Sequence, residues 1–327
     1  MANLSIVRKG EPAGIPIRPV VVEFLAATRR QRNAASQRNC AWHLYCFADF
    51  ADSAGISLEQ IDARTVDAFL DHFEQTRRPR KPGATAIAKS TLVNLVCSIK
   101  TFLTWCSRDR AIYADFVLER TARDIRRPKM PHVIIETFRP EQIRALLLAT
   151  DAEENERQRA RASAIIHTLM GTGIRAQECC NLKLADVHLE DAEASIKIVQ
   201  GKGERDRRIP LGPITRRKLA HWVETWRADQ PKSAPLFTNR HGVEGVSVAG
   251  LQQLMERLGT RAKIEGVRCS PHTLRHTFAC ECVRRGMSVY NVSKLLGHAS
   301  VVMTERYLRS LGADFDELAD QVAGQLR

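Results

Sequence analysis

Between Ser270 and Leu308 the chain reads SPHTLRHTFACECVRRGMSVYNVSKLLGHASVVMTERYL, a run that places two basic side chains, a second histidine and a tyrosine in short helices separated by glycines, and around which the rest of the chain is organised. Ser270 followed by Pro271 predicts a helix start, because serine caps free amides and proline suits the first turn. That helix should stop near Gly286. His272 and Arg275, three apart, share one face, whereas Leu274 and Phe278, four apart, point to a core. The basic pair is therefore expected to face a cleft, not the interior. Ser288 opens a second helix carrying Val292, Leu295 and Leu296, which Gly297 ends, so that His298 sits at the exit. Ser300 caps a third, running through Val301, Val302, Glu305 and Tyr307.

A histidine, an arginine and a tyrosine can thus converge from three short elements. The stretch holds no carboxylate pair and no cysteine base. Cationic and proton-transfer groups around a phenol suit a phosphate ester. A single tyrosine on an amphipathic helix is more often a core residue. His272 and His276 have a possible metal spacing, but the glutamate of an H-E-x-x-H motif is missing, and no metal is expected. Choosing between these readings needs residues from elsewhere in the chain.

At 327 residues the chain is too long for one typical core, which predicts two domains. With 44% hydrophobic residues it is globular in composition, and no apolar run reaches the length of a membrane span. The start, MANLSIVRKGEPAG, has no apolar region long enough for export, so the expected location is the cytoplasm, at the nucleoid. Nine cysteines form no C-x-x-C pair and are read as free thiols in a reducing compartment. A net charge of +13 favours a polyanionic partner, nucleic acid first.

Residues 1–17, with Gly10, Pro12, Gly14 and Pro16, read as a loose arm. Helical patterns follow at Val20–Thr28, Ala35–Ala54, Thr65–Glu74 and Ser90–Cys106, with Leu92, Leu95, Val96, Ile99, Phe102 and Leu103 forming one apolar stripe. They make an all-helical domain over 18–122. Arg77, Arg78, Arg80, Lys81, Lys89 and Lys100 surround it with cations, as expected for contacts to a phosphate backbone, although a charge run is also simply a solvated face. Residues 123–137, with Arg126, Arg127, Lys129 and two prolines, read as a stiff basic linker.

The second domain, 138–327, opens with helices at Pro140–Ala149 and Ala162–Met170. Gly171 and Gly173 break the latter just ahead of Arg175, which at a helix start is placed to present a fork of donors to a phosphate. Glu178 either orients that arginine or favours the helix start electrostatically. From Ala194 to Leu211 the period changes to two, predicting an antiparallel hairpin with Lys202 at its tip. G-K-G here is no Walker motif. Near a phosphate, Lys202 is a candidate proton donor; otherwise it is a solvated loop lysine.

TGIRAQE around Arg175, GKGERDRRIPL around Lys202, PHTLRHTFA with His272 and Arg275, LGH with His298, and Tyr307 together resemble the tyrosine recombinase, or phage integrase, family in order and spacing. The match spans the second domain, and Ile174 and Met303 depart from it without touching a reacting group. The resemblance implies a mainly α fold with a small antiparallel sheet: a helical core-binding (SAM-like) domain in its compact two-domain form, and a mixed α+β catalytic domain. It implies a site-specific recombinase, in which Tyr307 attacks a DNA phosphodiester to give a 3′-phosphotyrosyl enzyme, on double-stranded DNA with four protomers across two paired sites. Arg175 and Arg275 hold the non-bridging oxygens, Lys202 protonates the departing 5′-oxygen, His272 handles the nucleophile's proton and His298 donates to the phosphate. No cofactor and no nucleotide is implied. A type IB topoisomerase and a non-cleaving DNA-binding protein are the alternatives. The amphipathic stretch from Asp314 to Leu326 docks either on a neighbouring protomer or on its own domain.

Overall fold

Apolar periodicity sets the first unit. The computed structural model describes residues 14–31, 34–79, 85–108, 118–129, 136–190, 193–199 and 206–297, and the chain divides into two units, Met1–His132 and Val133–Arg327. In the first, α1 (Ile17–Thr28), α2 (Ala34–Ala54), α3 (Ala63–Thr76) and α4 (Lys89–Cys106) enclose one core. The predicted stripe of α4 is buried as expected, from Leu92 to Leu103. Aromatic rings close the core: Phe24 meets Phe102 edge-on at 5.6 Å, and Phe47 meets Phe69 at 5.2 Å. Asp62 caps α3 by accepting from the Thr65 amide at 2.7 Å.

Two boundaries differ from the sequence reading. Gly14 to Ile17 do not form a free arm: the Ile15 amide donates to the Glu59 carboxylate at 2.8 and 3.0 Å, and Ile17 is buried. The linker also begins later than 123, because a short helix, α5 (Leu118–Asp124), delivers Ala122 and Ile125 into the first core. An apolar side chain inside a basic run gains more from burial than the extended linker offers.

In the second unit, α6 (Pro140–Thr150) and α7 (Glu156–Thr172) precede α8 (Ala176–Asn181), then a sheet, and then α9 (Pro213–Trp226), α10 (Val248–Arg261), α11 (Pro271–Arg284) and α12 (Val289–Leu296). The sheet has three antiparallel strands in sequence order: β1 (Val187–His188), β2 (Ser195–Ile198) and β3 (Arg207–Pro210). The expected hairpin is therefore present, with Ile196 opposite Ile209 and Ile198 opposite Arg207, and β1 adds an edge. Sequence reading names neither α9 nor α10. Both supply core: Trp222 is fully buried and its indole donates to the Leu236 carbonyl at 2.8 Å, while Leu251, Leu254, Met255 and Leu258 line the inner face of α10. The nine cysteines are free thiols. Among the described residues no helix is long and apolar enough to cross a membrane.

Candidate active site

The glycine that ends α7 sets the site. Gly173 adopts φ +62°, and a Cβ there would lie 2.3 Å from the Phe278 ring and 2.9 Å from Leu296, so α7 turns against both α11 and α12 only because the residue is glycine. Two residues later Arg175 caps α8. Its backbone amide donates to Glu178 Oε2 at 2.8 Å and its Nη1 to Oε1 at 2.8 Å. Of the two sequence readings for Glu178, the geometry therefore shows orientation of the arginine together with a capping bond.

The α12 terminus matters most. Gly297 takes the left-handed conformation at φ 64° and stops the helix, leaving the last-turn carbonyls without intrahelical donors. Three consecutive carbonyls each accept from a different arginine: Leu295 from Arg207 Nε at 2.9 Å, Leu296 from Arg275 Nη2 at 2.8 Å, and Gly297 from Arg175 Nη2 at 2.7 Å. Arg275 Nη1 also donates to the Gly173 carbonyl at 2.7 Å. Guanidiniums gathered at the negative end of a helix are electrostatically favoured there. The consequence is positional: the residue after Gly297 is His298.

Arg275 departs from expectation. The sequence reading places it with His272 facing a cleft, yet it is 3% exposed, whereas His272, in the first turn of α11, is exposed. Burial is tolerated because the two carbonyls receive the guanidinium. His276 is fully buried, so the two histidines do not face a common ligand position, and among the described residues no group of three metal-ligating side chains occurs.

Arg207 is the site residue that sequence reasoning passed over. It donates to Glu178 through both terminal nitrogens, at 3.0 and 2.8 Å, and its side chain is 11% exposed. A signal existed: strand alternation places it on the same side as Ile209, which is buried. Despite burial, the hydrogen bonds and charges of Arg207 and Arg175 hold the Glu178 carboxyl at a pKa of about 2, so it is ionised throughout the physiological range. Although His272 keeps an exposed edge, partial desolvation by its neighbours, then the Arg275 charge, pushes its pKa down, leaving a neutral imidazole near pH 7 that can accept a proton. Three guanidiniums against one carboxylate leave the set net positive, suited to an anionic group.

Lys202, His298 and Tyr307 lie outside the described residues, as do the third predicted helix and the stretch from Asp314 to Leu326. So do Arg80 and Lys81. Of the other expected DNA contacts, Arg77, Arg78, Lys89, Arg126, Arg127 and Lys129 are exposed. Lys100 is half-buried, with its ammonium donating to the Ile125 carbonyl at 2.7 Å, which commits that group to holding α5 on α4.

Residues 136–313 match the model of the phage integrase family. Tyrosine recombinase XerC of Anoxybacillus flavithermus is 28% identical over 80% of this chain and 82% of its own length, and XerC of Corynebacterium glutamicum is 29% identical over 84% and 82%. Among solved structures, the XerH site-specific recombinase bound to palindromic difH substrate superposes with a TM-score of 0.72 at 21% identity, covering 94% of this chain and 90% of that one. A lambda integrase (75–356) dimer bound to a COC′ core site gives 0.63 at 15%, covering 88% and 96%. These structures share the fold, mostly helical with a small antiparallel sheet. With the family model matching more than half of its length, the chain belongs to the phage integrase family.

Proposed function

We propose that the chain is a site-specific DNA recombinase that cleaves and rejoins DNA through a 3′-phosphotyrosyl intermediate. The observation that carries this reading is the joining of Arg175 and Arg275 through the adjacent carbonyls of Gly297 and Leu296. Two guanidiniums 100 positions apart in sequence are fixed on the carbonyls of Leu296 and Gly297, the residues that immediately precede His298 in the chain. Oriented donors of this kind stabilise the charge that develops on non-bridging oxygens in the transition state.

In the reaction, the Tyr307 oxygen forms a bond to phosphorus while the bond to the 5′-oxygen breaks. The phenolic proton passes to neutral His272, and Lys202 gives a proton to the leaving 5′-oxygen. His298 donates a hydrogen bond to the phosphate. The phosphotyrosine retains an ester linkage, so a 5′-hydroxyl from a second duplex reverses the step and completes strand exchange without a nucleotide. The partner is double-stranded DNA at the nucleoid, and exchange between two sites engages four protomers. The first unit, with Arg77, Arg78, Lys89 and the 126–129 cations exposed, grips the phosphate backbone.

The test is denaturing capture of covalent protein–DNA complexes from cells carrying the native replicon, with the trapped ends sequenced. Tyrosine-dependent 3′ attachment at a few discrete sites is expected. Attachment scattered along the genome would instead indicate relaxation of the topoisomerase type, and firm DNA binding with no attachment would indicate a protein that does not cleave.

A further inference from the structure

A second cationic centre lies in the second unit, built from residues that take no part in the arginine cluster above. On α7, Arg157 and Arg161 sit one turn apart and reach the strand-like segment ahead of α10. Arg157 donates to Thr238 Oγ1 at 3.0 Å and to the Arg240 carbonyl at 3.4 Å. Gly242 is packed against that guanidinium, since a Cβ there would lie 2.2 Å from it. Arg161 is 4% exposed, and its Nε donates to the Thr238 carbonyl at 2.6 Å. Among the described residues nothing accepts from its Nη1 or Nη2, and no carboxylate lies within ion-pair distance of it. The nearby Glu153 is occupied by Arg257 at 2.7 Å and Arg261 at 2.8 Å.

Nη1 and Nη2 of this otherwise buried guanidinium have no protein acceptor among the described residues and are left to solvent or to an anion. Burial first, then repulsion from Arg157 and Arg257, lowers the Arg161 pKa to about 10, with the Glu153 charge opposing the shift. Arg161 borders a cavity of about 440 Å³ whose rim includes Arg240, His241, Ser247 and Arg257. The cavity opens at the start of α10, a fourteen-residue helix whose Ser247 cap accepts from the Gly250 amide at 3.1 Å. The positive end of that helix adds to the field. Glu244 on the rim is acidic, Arg240 pairs with Glu154 and Arg257 with Glu153, which leaves Arg161 as the lining guanidinium with no ion-pair partner among the described residues.

We propose that this cavity is an anion site separate from the arginine cluster at α12, and that it receives one phosphate group of the DNA backbone. The DNA source rests on the recombinase reading; the anion chemistry does not. Forked guanidinium donors match the geminal oxygens of a phosphodiester, whose single charge persists at every working pH. A grip there fixes the register of the second unit on the duplex without reading a base.

Two measurements on the full chain test this. First, inorganic phosphate is added against chloride at matched ionic strength, and the melting transition of the second unit is followed. An upward shift of about 2–4 °C is expected in the wild type and none in Arg161→Met, which replaces the cation by an apolar chain of similar length. Second, DNA affinity is measured against salt, where Arg161→Met should lower the slope of log K on log salt by about 0.9, one phosphate contact. If Arg161→Met fails to fold, Arg240→Gln on the rim replaces it and should reduce both effects. A wild type indifferent to phosphate overturns the anion site. A phosphate shift with an unchanged salt slope overturns DNA as its source and assigns the cavity to free phosphate. Absence of any DNA binding by the wild type, with the phosphate shift intact, overturns the recombinase reading and DNA as the source together, and leaves the anion site standing.

Discussion

Replacing Glu178 by glutamine removes the charge that joins β3 to α8 and, through Arg207 and Arg175, to the end of α12. Its carboxyl is lowered from the ordinary 4.5 to about 2, and its side chain is only 12% exposed, so solvent screening takes little away. At about 1.36 kcal/mol per pKa unit, the folded state gains roughly 3 kcal/mol from ionisation of this group. Because the folded pKa is depressed, that stability is complete above pH 4.5 and is lost as pH falls toward 2. Glu178→Gln should therefore destabilise the second unit by about 3 kcal/mol at pH 7, and the deficit relative to wild type should shrink to about 2 kcal/mol at pH 3.5. Urea unfolding followed by hydrogen exchange on peptides from α7 and α10 reads this unit apart from the first. A deficit below about 1 kcal/mol, or one that does not change with pH, would refute the claim that ionised Glu178 is the shared anchor of the two arginines.

Gly173→Ala should cost about 2–5 kcal/mol, combining a left-handed backbone with overlap against Phe278, and the same unfolding measurement checks it. Arg207→Lys keeps the charge but loses the fork to Glu178 and the bond to the Leu295 carbonyl. Single-turnover DNA cleavage should slow by about 10–100-fold while DNA affinity stays within about twofold, because the loss misplaces Arg175 and the α12 end without removing a backbone contact.

The helix starts that matter for the site could be read in advance because their signals are local. Ser270 accepts from the Thr273 amide and Ser288 from the Asn291 amide, and glycine ends α12 at Gly297. The α7 break beside Arg175 was equally legible from its glycines, although the helix extends through Thr172 before Gly173 ends it. Burial of Arg275 was not legible. Its two acceptors lie 102 and 21 residues away, and a period of 3.6 reports which residues share a face, not whether a carbonyl from another element waits there. Arg207 was hidden differently, since a charged residue in a short edge-like strand reads as solvated until Glu178 is placed opposite it. Helix α10 carried its apolar spacing at Leu251, Leu254, Met255 and Leu258 in plain form. The glycine and serine residues ahead of it obscured the start that Ser247 in fact provides.

The most direct measurement of the central claim uses a nicked duplex of the captured site, from which the short fragment carrying the released 5′-hydroxyl diffuses away, so that religation is blocked and the intermediate is trapped. Digestion and mass spectrometry then locate the nucleotide adduct. The account predicts a 3′-phosphate ester on Tyr307, formed in the presence of a metal chelator and absent from Tyr307→Phe and Arg175→Ala. An adduct on another residue, or undiminished adduct in Tyr307→Phe, would contradict it.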